Sequence, residues 1–522
     1  MDGNDVGRIV ALALAVAAAV PLAERDELRA QESPLGGGPY DRLVIRGATL
    51  IDGTGGPPVG PVDVVVEEDS IAEIHVVGDD FGEIDPESRP REGTREIDAG
   101  GMYLLPGFVN AHGHIHRDSV TGMEGRYTYY LWLAHGITTV LEPGSAEGVE
   151  WTIAQADSSA EEAFPAPRIY PYVFVGTGWD GGAITSPARA RKWVATVAEK
   201  GAAGVKIFTH RPDIMEALIQ ESHERDIKAT AHLSQSEVAR MDAREAAQLD
   251  LDHMHHWYGL AESMLKDGSV PDWTAGYNQN NEQDTFAEAG RFWEQAADVG
   301  SEEWNALVSD LVEEDLTMVP TFSVYEILRD VSRRRNLPFH RRYSSPQLMD
   351  YWETNPDNHY SLFFSWTSED EANWYRNFAR WRKFVDDFHE SGGRVAAGAD
   401  AGSGYHPFGF GYIRELELLQ HAGLHPLEVI RAASLAGAKA LGEGDRLGSV
   451  EVGKQADLVL VDANPLEDLK VLYGTGAPRY DPEADTVRRI GGVDFTVKDG
   501  VVYDANHLLE LVGENVTEAK NR

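Results

Sequence analysis

Apolar positions along the chain follow two rhythms. From Tyr40 the runs "YDRLVIRGATLIDGTG", "VDVVVEEDSIAEIHVV" and "TREIDAGGMYLLPGF" are short, β-branched and separated by Gly/Asp turns, which predicts hairpin-linked strands. Runs of this kind return only near the end, in "GSVEVGKQADLVLVDA" and "VDFTVKDGVVYDA". The two ends therefore predict one small β-sandwich domain, built from residues 40–104 and 446–522. Between them, residues 105–445 alternate differently. A run ending at His112 is followed by runs at 136–143, 168–178, 204–208, 228–233, 251–256, 317–324 and 394–402. Helical stretches such as "SPARARKWVATVAEKG" and "DIMEALIQESHERD" lie between most of them. Eight strands with intervening helices predict an α/β fold, a (β/α)8 TIM barrel. A long insertion, roughly 260–388 and rich in Trp, Tyr and Arg, fits two roles: a wall over the barrel mouth, or extra helices packed on its side.

The first 39 residues stand apart. Ile9 to Ala23 is an apolar run too short for a comfortable membrane span, and Ala17 and Ala19 satisfy a small-x-small cleavage rule. Asp2 and Asp5 beside a single Arg8 make a poor n-region. Export to the periplasm or medium is the expectation, against an uncleaved anchor or a cytoplasmic extension. No span is expected in the mature chain. Gln31 to Pro39 reads as a linker.

Composition then narrows the chemistry. With no cysteine among 522 residues, disulfides, thiolate metal sites and a cysteine nucleophile are excluded. Any metal is held by His, Asp, Glu or a modified Lys. A net charge of −40 repels polyanions, so nucleic acid and anionic membranes are not expected partners. That acidity, with Lys scarce, suits solubility in a salty habitat better than steering of cationic substrates.

"GFVNAHGHIHRD" holds His112, His114 and His116 at alternate positions. On a strand all three rings would crowd one spot, which neutral imidazoles gain little from unless a cation sits among them. Barrel chemistry gathers at carboxyl strand ends. Those ends carry His112 and His114 in the first run, Lys206 in the fourth and His232 in the fifth, then His256 in the sixth and Asp400 in the eighth. In "LDHMHHWYG", alternation puts His253 and His255 on one face, and His256 on the other with Asp252 and Met254. His210 and Tyr258, just beyond strand ends, are candidate pocket or loop residues. "GTGWDGG" and "GADAGSG" lack a phosphate-binding arrangement.

"LLPGFVNAHGHIH" resembles the first-strand signature of the amidohydrolase superfamily. "GVKIF", "ATAHL", "DHMHHWYG" and "AAGADAG" follow in that family's order. The stretch from "HPLEVIRAASLAGAKALGEGD" onward looks like its exit from the barrel. The resemblance covers about Tyr40 to Ala505 and is nearest to imidazolonepropionase-like and Xaa-Pro dipeptidase-like members. It implies that His112 and His114 hold one metal with Asp400, and that His232 and His256 hold a second. Lys206 would bridge both as a carbamate. His116 falls beyond the motif, and His253 is the fallback for His256. His255 stands where the family usually has Glu, and Trp257 where Gly is frequent. Ligands without sulfur suit Zn²⁺, with Mn²⁺, Co²⁺ or Fe²⁺ as substitutes.

The implied function is hydrolysis of an amide, dipeptide or cyclic amide by a metal-bridging hydroxide, with Asp400 as general base and then acid. The small-molecule or dipeptide-like substrate is not specified, and copies of such chains often associate into homo-oligomers. Two alternatives remain: a mononuclear deaminase of the same superfamily, which needs no bridging Lys, and a non-catalytic metal-binding scaffold.

Overall fold

The structure is a computed structural model. It describes residues 35–78, 84–115, 121–123, 126–145, 147–233, 241–266, 271–278, 281–355 and 366–522. The signal-like segment Ile9 to Ala23 and His116 lie outside the described residues.

Eight parallel strands form a curled sheet in strict chain order. They are β1 (Phe108–Asn110), β2 (Ile137–Glu142), β3 (Arg168–Phe174), β4 (Gly204–Phe208), β5 (Lys228–His232), β6 (His253–His255), β7 (Thr317–Val319) and β8 (Arg394–Val395). All six residues of β2 and the first four of β4 are buried, as expected of parallel strands covered on both faces. Register places Lys206 beside Thr230 and Phe208 beside His232. The sheet's two edges meet just past their strands. Ala111 N–H donates to Ala397 O at 2.9 Å and Asp400 N–H to His112 O at 2.8 Å.

Helices between the strands are punctuated locally. In Pro187–Lys200, Ser186 caps the amino end, Pro187 occupies the first turn, and Gly201 ends the helix at φ +106°. The insertion contributes the helices Glu282–Phe292 and Ser368–Glu390. Thr367 and Asp370 form a capping box for the second, whose Trp374, Phe378, Trp381, Phe384 and Phe388 are buried in the main core. Trp374 Nε1 donates to Phe286 O at 2.6 Å, tying the two helices together. The described part of the insertion packs into the main core and also meets the loops beyond β1 and β8, where Trp352 Nε1 donates to Gly402 O at 2.9 Å, so both roles stay open.

The chain ends build one nine-stranded sheet. Its order is 36–37, 501–504, 493–498, 458–461, 103–106, 43–50, 59–67 and 70–76, with 95–98 also paired to 43–50. Leu43, Ile45, Val64, Leu104, Leu458 and Val497 form a hydrophobic core separate from the main one. A two-stranded hairpin, Ala477–Asp481 with Thr486–Ile490, projects beside it. Among the described residues, no helix is long and apolar enough to cross a membrane.

Candidate metal centre

Asn110 closes β1, and its Oδ1 accepts from His112 N at 3.3 Å and Ala399 N at 3.0 Å. One buried amide thus holds the first and eighth strand ends together and turns His112 toward Asp400. His112 Nε2 lies 3.6 Å from Asp400 Oδ1 and 3.4 Å from His114 Nε2. His114 Nε2 is 3.5 Å from the same oxygen, and His256 Nε2 is 4.0 Å from Asp400 Oδ2. His112, His256 and Asp400 are all buried, and each offers one ligand atom within 4.8 Å of the others.

The opposite ring nitrogens are engaged. His114 Nδ1 pairs with Glu142 Oε1 at 2.8 Å, and the other oxygen of this fully buried carboxylate accepts from Ile115 N. His256 Nδ1 meets Thr321 Oγ1 at 2.6 Å, while that hydroxyl donates to Pro320 O. With Nδ1 of His114 and His256 occupied, Nε2 of both faces the cluster with its lone pair, the arrangement a metal-ligating histidine requires. His112 Nδ1 lies 2.7 Å from His255 Nδ1, so donation by His112 frees its own Nε2 in the same way. Imidazoles and a carboxylate converging without sulfur fit a divalent transition ion.

Lys206 is buried in β4 at the same site. Desolvation pushes its ammonium down to about 7, although Asp400 and Glu142 oppose the shift. Burial likewise holds His112, His255 and His256 well below the usual histidine range, with Lys206 adding repulsion. His114 moves the other way. Burial opposes its charge, but Glu142 and Asp400 raise it. His232 completes the group, its ring centroid 4.5 Å from that of His256.

All six ligand candidates, His112, His114, Lys206, His232, His256 and Asp400, thus end at one mouth of the sheet. Strand alternation holds for His253 and His255, whose rings stack with centroids 6.3 Å apart, and fails at His256. His253 bonds Ala440 O at 2.6 Å, away from the cluster. His255 and His256 both reach the cluster, although alternation puts them on opposite faces. The strand ends at His255, and His256 adopts φ +70°, a left-handed conformation that breaks the period of two. Asp400 at +52° and Thr321 at +57° share this strain. Glu142, Thr321 and His255 were not singled out from the sequence as site residues. The available signal was Glu142 itself, a lone carboxylate ending an apolar strand, which must be paired when buried.

The mouth is lined on one side by aromatic rings. Phe208, 41% exposed, stacks on Phe174 with centroids 5.5 Å apart and stands 5.1 Å from the His232 ring. Tyr258 stacks on the other side of His232 at 4.6 Å. His210 lies past Phe208 on the loop leaving β4.

A curled parallel sheet with imidazole and carboxylate donors at its carboxyl mouth defines an α/β protein built around a metal centre. The model of the amidohydrolase family matches residues 103–284 and 379–502, and the chain belongs to that family. It is 29% identical over 150 residues to 5-methylthioadenosine/S-adenosylhomocysteine deaminase of Acetivibrio thermocellus, covering 26% of this chain and 33% of the relative. It is 36% identical over 120 residues to imidazolonepropionase of Geobacillus sp., covering 23% of this chain and 25% of the relative. The matches thus span about a third and a quarter of those relatives' lengths. In fold it is similar to a Xaa-Pro dipeptidase solved with methionine bound, with TM-score 0.59 and 18% identity over 89% of this chain and 100% of that one. It is also similar to a bottromycin amidohydrolase, with TM-score 0.61 and 20% identity over 96% and 94% of the two chains.

Proposed function

We propose that this chain is a hydrolase of carbon–nitrogen bonds that uses two divalent metal ions, Zn²⁺ among the candidates. The reading takes the curled sheet as a complete (β/α)8 barrel and the terminal sheet as a flanking β-sandwich. The observation that carries it is the meeting of His112, His114, His256 and Asp400 donors around buried Lys206. His112 and His114 would hold one ion with Asp400, and His232 and His256 the other, with carboxylated Lys206 between them. An amine whose proton leaves near neutral pH is available to react with carbon dioxide, whereas an ammonium beside two cations would be repelled. Such a pair of ions supplies Lewis acidity and an acidified water.

The chain's own groups do the rest. Asp400 accepts the proton of the attacking water and hands it to the departing nitrogen. Glu142 and Thr321 keep His114 and His256 in the ligating tautomer. Phe208 offers an apolar face to the substrate, an amide or dipeptide in preference to a cyclic amide. A deaminase, an imidazolonepropionase and a dipeptidase among the similar proteins fit this bond class.

A second reading, a mononuclear deaminase, is favoured by one observation: His112, His256 and Asp400 each offer a ligand atom within 4.8 Å of the others, enough to hold a single ion. Metal content of protein purified with bicarbonate and without chelator separates the two. Two ions per chain, falling to one or none in Lys206→Ala with loss of amide hydrolysis, supports the first reading. One ion per chain, unchanged in that variant, supports the second.

A further inference from the structure

Away from the metal centre, on the flank of the curled sheet and beside the projecting hairpin, lies a cavity of about 230 Å³. Five cationic side chains line it, Arg333, Arg334, Arg414, Lys470 and Arg489, against only two carboxylates, Glu326 and Glu417. In a chain of net charge −40 this excess of cations is local.

Both carboxylates are already shared. Arg414 grips Glu326 side-on, Nε at 2.9 Å and Nη2 at 2.6 Å, and Arg329 adds a contact at 2.7 Å. Glu417 takes Arg414 Nη1 at 3.1 Å, Lys470 at 3.1 Å and the Tyr473 hydroxyl at 2.6 Å, and Lys470 also lies 3.7 Å from Asp468 just outside the lining. Arg334, only 2% exposed, is left with one long contact of 3.4 Å from Nη1 to Glu326. Its Nε and Nη2 have no hydrogen-bond partner among the described residues. These two N–H groups form the same edge that Arg414 uses to grip a carboxylate. A guanidinium does not shed its proton to escape burial, so the unmatched edge calls for an anion. The remaining wall is apolar, with Phe339 stacked on Phe410 at 4.2 Å.

We propose that this cavity binds a small organic carboxylate, its head paired with Arg334 and Lys470 and its apolar body against Phe339 and Phe410. The volume suits a single-ring acid, and the aromatic wall favours such an acid over a bare inorganic ion. Side-on pairing with the Arg334 edge needs a small adjustment of the side chain, because both nitrogens are packed under neighbouring atoms.

The test uses the metal-replete full chain and benzoate as probe, read by calorimetric titration and by melting temperature. Benzoate is expected to bind in the millimolar range and to raise the melting temperature by about 2–5 °C at saturation. Neutral benzyl alcohol, which has no C–N bond to cleave, and chloride should leave it unchanged. Arg334→Met should abolish the response. Because that variant alters a buried residue, Lys470→Met at the half-exposed rim serves as the second, and should weaken binding about tenfold. No heat and no melting shift with benzoate would overturn the proposal. So would an equal response to benzyl alcohol or chloride, or benzoate affinity unchanged in Lys470→Met, since binding would then lie elsewhere, for instance at the metal centre.

Discussion

A single residue, Glu142, shows how much of the centre depends on groups that touch no metal themselves. Its two oxygens fix the His114 ring and the backbone of Ile115, and it has no exposure to water. Glu142→Gln keeps the shape but turns one acceptor into a donor facing His114 Nδ1. Metal affinity should fall about 10–100-fold while the ligands remain, as chelator competition would measure. Phe208 belongs to the same scale. Its partly exposed ring beside His232 should select for apolar substrate groups, so Phe208→Ala should lower kcat/KM for a phenyl-bearing amide about tenfold and leave an alanine amide nearly unchanged. Equal losses on both would show that Phe208 does not discriminate. The ligand candidates were legible because His, Lys and Asp at five of the eight strand ends form a pattern that survives without coordinates. Glu142 and Thr321 were not, because a positioning group is defined by what it faces. His256 shows the sharper limit, since a backbone reversal at that one residue undid a sound alternation rule.

At the scale of elements, the helix Phe322–Arg329 sets the position of His256. Thr321 precedes it in a left-handed conformation, and Glu415, from the helix Phe410–Ala422, accepts from Phe322 N at 2.9 Å and Ser323 N at 2.6 Å. Burial pushes the Glu415 carboxyl up to about 7 despite these bonds. The folded chain therefore holds a proton that the unfolded chain releases near its ordinary value of 4.5. The stability linked to that proton is complete below about pH 4.5 and fades as pH rises through 7, on the order of 3 kcal/mol across the window. Glu415→Gln should flatten this slope in denaturant melts between pH 5 and 7. It should also cost about 1–3 kcal/mol, because one of the two N–H groups loses its acceptor. An unchanged slope would place the titration elsewhere. Legibility at this scale was uneven. The run 317–324 looked like one strand, yet it is three residues of β7 followed by a turn and a helix, because Pro320 and the left-handed Thr321 end the extended backbone.

For the whole molecule, Arg168 joins the two sheets. From the start of β3 its guanidinium meets Thr139 of β2 at 2.9 Å, Asp457 at 2.7 Å and Asp499, the two carboxylates belonging to the terminal sheet's turns. Removing it leaves Asp457 buried without its partner, so Arg168→Met should destabilise the chain by about 3–5 kcal/mol. Metal stoichiometry should be unchanged, since the residue sits at the amino end of the strand, away from the mouth. Calorimetry and metal analysis of the same preparation would check both. The alternation of strands and helices was enough to anticipate the eight parallel strands of the curled sheet. What the insertion does was not, because Trp374 and Trp381 look alike in sequence whether they cap a mouth or pack against a flank.

The pairing of strand 103–106 with strand 458–461, in the middle of the terminal sheet, has a consequence for how the protein is made. During synthesis the early strands leave the ribosome long before their central neighbours exist, and the curled sheet must be produced in between. Until residues 458–461 emerge, strand 103–106 keeps an open edge rich in Tyr, Leu and Pro. That interval of waiting makes assembly slow and exposes a sticky surface, so yield in a cell should depend on chaperone supply and on temperature during expression.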